Sequence, residues 1–241
     1  MKKIIAIMVG FVLITGITAN AALDLTAWQA QAAATAGNVV ADNTGWTFDG
    51  SAGVDFDYGN LDEDGNLGSN GAGTSVEYIF NLTDNDYSVA LGSFFGWNNA
   101  EINVVKLEQW ANTGVFGLTS PGVVDSNFNG ALSTFDVDTH VVFINRADGD
   151  YEIYVNGVSM GLDTRGGGKW VTNGGLGKLG AFGKSDGTQV DICSGDIYAV
   201  GTYNRALDAG EVADLAAAVP EPATMILFGL GSLAAIRRRK A

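Results

Sequence analysis

The stretch NRADGDYEIYVNGV, residues 145–158, most constrains what this chain can fold into. Asp148-Gly149 can take the positive φ angles that a tight hairpin turn demands, and β-forming residues flank it on both sides. The same period-2 alternation recurs in TSVEYIFNL (74–82), EINVVKLEQW (101–110), THVVFINRA (139–147) and YEIYVNG (151–157). Side chains that alternate with period 2 face opposite sides of a sheet, so these runs predict strands. Shorter candidates lie at 86–92, 114–118, 179–182 and 196–203, and the segments TDND, SNFNG and ADGD between runs predict turns. With only 3 prolines in 241 residues, the pattern predicts an all-β fold: a two-sheet antiparallel sandwich or jelly roll.

Helix is expected only at the margins. The Ala-rich LTAWQAQAAATAG (25–37) predicts a helix with Thr26 as its N-cap. In NRALDAGEVADLAAA (204–218), Asp208 and Glu211 have capping-box spacing and Val212 and Leu215 make an apolar face, which predicts a short C-terminal helix. The Gly-rich stretches 59–73 and 164–178 predict long surface loops. No internal repeat or linker divides the middle of the chain, so residues 22–219 are expected to form one domain.

Both ends carry targeting chemistry. MKKIIAIMVGFVLITGITANAA combines two lysines, an apolar run and an Ala19-Asn20-Ala21 site, which predicts a secretory signal peptide over 1–21. At the other end, VPEPATMILFGLGSLAAIRRRKA joins a Pro-Glu-Pro motif to an apolar stretch and four cations. Ala223–Ile236 is 14 residues, or about 21 Å as a helix, so it reaches across a core of about 30 Å only with help from its flanks. The arginines then stay cytoplasmic and the domain lies outside.

Without those ends the chain is strongly acidic. Residues 22–219 hold 7 basic and 26 acidic groups, a net charge of −19. Such a surface repels phosphate backbones, which excludes nucleic acid as a partner, and suits cations. Cys193 is the only cysteine, so neither an internal disulfide nor a cysteine metal cluster can form, and an exported free thiol is expected to be buried in a strand.

The pairing of THVVFINRADGDYEIYVNGV with the later GDIYAVGTYNRALDAGEVADL resembles the laminin G-like, concanavalin A-like jelly-roll family. In that pattern a strand opening with a histidine leads through a hairpin into a YVNG strand, and a later Gly-x-Ile strand ends in YNRAL before an acidic helix. The resemblance spans 139–215 most clearly and extends over 50–138; Ala199 departs from it at a position usually acidic. On this pattern Val142, Ile144, Ile153 and Val155 are expected to share one core face, and Arg146 to pair with Glu152 across the hairpin.

The tail resembles the PEP-CTERM sorting signal, with Pro220, Glu221 and Pro222 as the motif and Arg237, Arg238 and Arg239 in its basic end. That resemblance implies an exported cell-surface or extracellular protein, cut near Pro220-Glu221-Pro222 by an exosortase-type membrane protease. Residues 220–241 are then a sorting and membrane-transit segment, anchored through 223–236 at least transiently.

The sandwich resemblance leaves several chemistries open. Sandwich glycoside hydrolases place two carboxylates about 5 to 10 Å apart. The Glu-x-Asp-x-x-Glu motif of sandwich glucanases is absent, and Glu77, Glu101, Glu108 and Glu152 each stand alone on their runs. Asp136 and Asp138 sit at a strand entrance, and His140, the single histidine, falls at a strand start, so no enzyme is expected. Calcium is a candidate cofactor: Asp62, Asp64 and Asn66 alternate in LDEDGNLGSN, without EF-hand spacing, and 84–86 and 125–129 offer further oxygens. The favoured expectation is a non-catalytic lectin-like module that binds an extracellular polysaccharide or a surface protein. Trp97, Asn98, Asn99 and Trp170 are its candidate ligand contacts, aromatic faces for sugar rings and amides for hydroxyls. The alternatives are a purely structural acidic matrix protein and, behind it, a polysaccharide-degrading enzyme.

Overall fold

A computed structural model describes residues 23–35, 45–59, 73–83, 88–95, 101–107, 114–120, 124–146, 150–164, 176–184 and 186–220. In chain order the elements are α1 (Thr26–Ala34), β1 (Trp46–Asp49), β2 (Val54–Asp57), β3 (Thr74–Leu82), β4 (Val89–Phe95), β5 (Glu101–Leu107) and β6 (Val115–Ser120). There follow β7 (Val124–Leu132), β8 (Thr139–Asn145), β9 (Tyr151–Val155), β10 (Val158–Asp163), β11 (Leu176–Leu179), β12 (Phe182–Gly183), β13 (Gln189–Val190), β14 (Ser194–Tyr203) and α2 (Ala209–Ala218).

Two six-stranded antiparallel sheets face each other, in the orders β1-β14-β3-β8-β9-β10 and β2-β11-β4-β5-β6-β7. This is the expected all-β sandwich. The predicted hairpin pairs β8 with β9, Val141 opposite Val155 and Phe143 opposite Ile153. Its Asp148-Gly149 turn lies outside the described residues, but Arg146 N–H donates to the Asp150 carbonyl at 2.8 Å and Arg146 pairs with Glu152. The next turn was hidden inside a predicted strand: Asn156 and Gly157 take φ of 49° and 78°, ending β9 at Val155 and opening β10 at Val158. Two consecutive positive φ angles make the tight turn that antiparallel twist favours.

The central strands of the first sheet are buried on both faces. One core lies between the sheets and includes Val76, Tyr78, Phe80, Val141, Phe143, Ile153 and Val155. A second lies on the outer face under the helices, where Ile79, Val142, Ile144, Tyr154 and Ala199 meet Trp28, Val212 and Leu215. Val142 and Ile144 therefore do not share a face with Ile153 and Val155, contrary to the expectation. The register sets Val142 opposite Tyr154 and Ile144 opposite Glu152, and the helical layer supplies the apolar cover that a half-buried strand would lack. A bulge between Ile197 and Ala199 switches the parity of β14, so that Ile197 faces the inner core and Ala199 the outer one. Ala199 is thus a small residue beneath a helix, where an acidic one would be buried.

The helices follow their sequence signals with one correction. α2 begins with the expected capping box, Asp208 accepting from Glu211 N–H and Glu211 accepting from Asp208 N–H. In α1 the N-cap is Leu25, and Thr26 is the first helical residue. The Asp24 carboxylate accepts from both Thr26 N–H (3.1 Å) and Oγ1 (2.7 Å), so the polar group N-terminal to Thr26 takes the role expected of Thr26 itself. SNFNG also reads differently in three dimensions: residues 126–130 lie within β7, paired to β6, because sheet pairing outweighs the turn preference of Asn and Gly.

Candidate functional site

Among the described residues a cleft of about 600 Å³ opens where β7, the edge of one sheet, faces β10, the edge of the other. Asn127 and Asn129 line it from β7; Met160, Leu162 and Asp163 line it from β10, with Thr164 just beyond. Gly130 lets the strands approach, since a Cβ there would meet the Met160 carbonyl at 3.2 Å. Leu162 is 51% exposed, whereas Met160 packs partly against the inner core. The walls thus combine side-chain amides, one carboxylate, one hydroxyl and two flexible apolar side chains.

Polar satisfaction is incomplete beside this cleft. Asn127 Oδ1 and Ser126 Oγ are buried with no hydrogen-bond partner. An unpaired buried polar group costs about 1–3 kcal/mol, which the Asn127 amide would recover by turning toward a donor in the cleft. Chemically, the cleft suits a ligand that offers hydroxyl donors and an apolar ring face.

A second polar cluster is sealed. Glu77 on β3 points to the outer face and accepts from Trp28 Nε1 (2.6 Å), His140 Nε2 (2.6 Å) and Tyr203 Oη (2.7 Å). Glu77 and Trp28 are fully buried and His140 is 2% exposed, so this carboxylate and imidazole meet no solvent-borne substrate. Burial first, then the Glu77 charge, pushes the Tyr203 phenol far above its usual range, which keeps it a donor. His140 is the second residue of β8, at the strand start as expected; its ring Nε2 meets Glu77, its backbone bonds to Asn156, and Nδ1 is unpaired.

Other sequence candidates are placed as follows. Asp138 accepts from Asn81 Nδ2 (2.9 Å) and Tyr198 Oη (3.2 Å), and Asp136 adopts φ of 57° in the turn before β8, its N–H bonded to the Leu82 carbonyl. Cys193 is fully buried, as expected, but lies just before β14 rather than in a strand, with its N–H bonded to the Gly180 carbonyl. Burial pushes its thiol up to about 12. Trp97, Asn98, Asn99, Trp170, Asp62, Asp64, Asn66, Glu221, Pro222, Arg237, Arg238 and Arg239 lie outside the described residues, as do residues 1–21, where a signal peptide is expected, and the apolar stretch 223–236. Pro220 is the last described residue. Among the described residues no cluster of three or more His, Cys, Asp or Glu side chains is arranged for a metal, and no helix is long and apolar enough to cross a membrane.

The sequence marks 125–129 as a turn and an oxygen cluster, and carries no signal for Met160, Leu162, Asp163 or Thr164. The cleft joins strands from opposite sheets, which no local pattern announces. Glu77 did carry a signal, a carboxylate inside an otherwise apolar strand.

The model of the PEP-CTERM protein-sorting motif matches residues 218–240. The chain ends in a PEP-CTERM motif. That motif marks an exported protein sorted through its C-terminus, as the Pro-Glu-Pro, apolar and basic segments implied. No curated protein sequence matches the chain. Among solved structures, the chain is similar to the heptameric SAP-like pentraxin of Limulus polyphemus, with 16% identity, TM-score 0.56, and coverage of 70% of this chain and 80% of that one. It is also similar to domain 4 of the GH43 extracellular arabinanase of Geobacillus stearothermophilus, solved with arabinotriose, at 18% identity, TM-score 0.50, and coverage of 70% and 75%. The CBM40 module of the Ruminococcus gnavus IT-sialidase, solved with α2,6-sialyllactose, matches at 16% identity and TM-score 0.50 over 73% of this chain and 96% of that one. These likenesses establish the jelly-roll-type sandwich of the PEP-CTERM chain.

Proposed function

We propose that this chain is an exported, exosortase-processed surface or extracellular-matrix protein whose sandwich binds carbohydrate without catalysis, through the cleft between β7 and β10. The observation that carries this reading is the lining of the cleft. Asn127, Asn129, Asp163 and Thr164 present hydrogen-bonding groups beside Met160 and Leu162, and an unpaired buried acceptor belongs to one of those residues. Two of the sandwiches it resembles were solved with oligosaccharides, which supports the same class of ligand. Asp163 is the one carboxylate among the described lining residues, whereas glycoside hydrolysis generally works with a pair.

In the same reading Trp97, Asn98, Asn99 and Trp170 add sugar contacts, and Asp62, Asp64 and Asn66 hold calcium. Processing falls near Pro220-Glu221-Pro222 while Arg237, Arg238 and Arg239 remain on the cytoplasmic side. A second reading, a purely structural acidic matrix protein, draws on the net charge of −19 over residues 22–219.

Calorimetric titration of the purified protein with bacterial and algal polysaccharides, in calcium and then in chelator, separates the two readings. Carbohydrate binding requires saturable heats that Asn127→Ala and Asp163→Ala each weaken by about tenfold, or about 1.4 kcal/mol. Loss of binding in chelator assigns calcium to the site. A folded chain that gives no saturable heat with any sugar leaves the structural reading.

A further inference from the structure

The sorting match begins at residue 218, which is also the last residue of α2. Domain and sorting motif therefore overlap, with no linker between them. α2 is also firmly held. Val212 and Leu215 are fully buried against the outer face of the first sheet. Arg205 donates to both Glu211 carboxylate oxygens at 2.6 Å and to the Thr35 carbonyl at 2.7 Å, which ties the start of α2 to the end of α1. At the end of the helix, Ala218 and the C-cap Val219 still pack on the same apolar layer, and Val219 N–H donates to the Ala216 carbonyl at 3.2 Å.

Proteins that capture peptides by strand addition hold them extended, with main-chain hydrogen bonds giving affinity and pockets for alternate side chains giving specificity. On the N-terminal side of Pro220-Glu221-Pro222 the residues available for that are Val219, Ala218 and Ala217. Val219 is already extended, at φ −73° and ψ 128°, but Ala217 and Ala218 are helical. On the other side the apolar stretch begins immediately, at Ala223. A protease at the membrane surface thus meets a cleavage segment whose upstream half is the last turn of a docked helix.

We infer that the last turn of α2 must leave the sheet before the Pro-Glu-Pro segment can be cut, so that the folded sandwich slows its own C-terminal processing. This rests on the sorting reading above and adds a kinetic consequence to it. Processing is fastest on chains whose α2 has not yet docked, and a docked chain waits for local opening of a terminal helical turn, the kind of event that occurs well below the cost of global unfolding.

The test compares the full chain with a variant carrying a flexible Gly-Ser spacer between Val219 and Pro220, both expressed in an exosortase-bearing host. Pulse-chase loss of the C-terminal segment is the readout. The spacer restores extended chain upstream of the motif without touching α2. It is expected to raise the processing rate about tenfold. A companion variant, Leu215→Ala, loosens α2 and is expected to speed processing of the natural chain but not of the spacer chain. Equal rates with and without the spacer overturn the inference while leaving the sorting reading intact. If neither chain loses its C-terminal segment in that host, the sorting reading itself fails and the inference falls with it.

Discussion

Replacing Glu77 with glutamine tests whether the outer core depends on a buried charge. The carboxylate accepts from three donors at 2.6, 2.6 and 2.7 Å, contributed by α1, β8 and β14. Each hydrogen bond to a charged group contributes about 1.5–3 kcal/mol, and a buried donor left unpaired costs about 1–3 kcal/mol. A glutamine carbonyl can keep Trp28 and His140 as donors, but its amide N–H group then faces the Tyr203 hydroxyl, which must turn its proton away and accept instead. The buried charge and its charge-assisted bonds are lost, the Tyr203 proton is left without its acceptor, and none of the three elements can move away without opening the apolar layer around Ile79, Val142 and Leu215. The expected cost is about 3 kcal/mol, within the range for breaking one partner of a buried polar pair. For a domain of this size that lowers the melting temperature by about 6–12 °C. The assay is thermal unfolding followed by circular dichroism, with hydrogen exchange to locate the loosening. Trp28→Phe, which removes a single donor and keeps most of the apolar contact, should cost about 1–2 kcal/mol and lose exchange protection mainly in α1. A melting temperature for Glu77→Gln within about 2 °C of the parent would refute the reasoning, since an amide would then serve as well as the carboxylate.

Three further outcomes are expected. Gly92→Ala places a methyl group on the hydroxyls of Tyr58 and Tyr78, both fully buried and bonded to each other at 3.3 Å, so denaturant unfolding should show an overpacking cost of about 1–3 kcal/mol. Cys193, its thiol pushed up to about 12 by burial, should resist iodoacetamide at pH 8 in the folded chain and react on unfolding; rapid labelling of the native state would contradict its placement. Glu211 is held below its ordinary carboxylate range, chiefly by hydrogen bonding from Arg205, so its contribution is present above the unfolded value of about 4.5 and is lost as the pH falls through the lower folded value. Acid melting curves of the parent should therefore fall more steeply below that range than those of Arg205→Gln, and parallel curves would show that the pair is not coupled to folding.

Local chemistry announced the elements whose signals are local. TSVEYIFNL became β3 with the expected bounds, the capping box at Asp208 and Glu211 opened α2, and Arg146 found Glu152 across the β8–β9 hairpin. Boundaries drifted where a second signal competed: YEIYVNG ends as a strand at Val155 because Asn-Gly turns more readily than it extends. β7 was missed for the opposite reason, since its Asn- and Gly-rich residues form a strand only when β6 holds them. The cleft was legible only in fragments, as polar residues at 125–129 with no sign that β10 would stand opposite.

By itself, then, the sequence determined that the chain is an all-β sandwich ending in a sorting motif, with an acidic balance of charge and a capped C-terminal helix. Those properties rest on turn chemistry, period-2 alternation, charge and terminal motifs, all carried by neighbours along the chain. Only the tertiary structure decided which face each strand buries, because the helical layer covers the outer face and a single bulge in β14 reverses its parity. It also decided that Glu77 would gather Trp28, His140 and Tyr203, and that β7 and β10 would meet across a cleft. Such contacts join residues far apart in sequence, and their energy comes from burial and register that no local window contains.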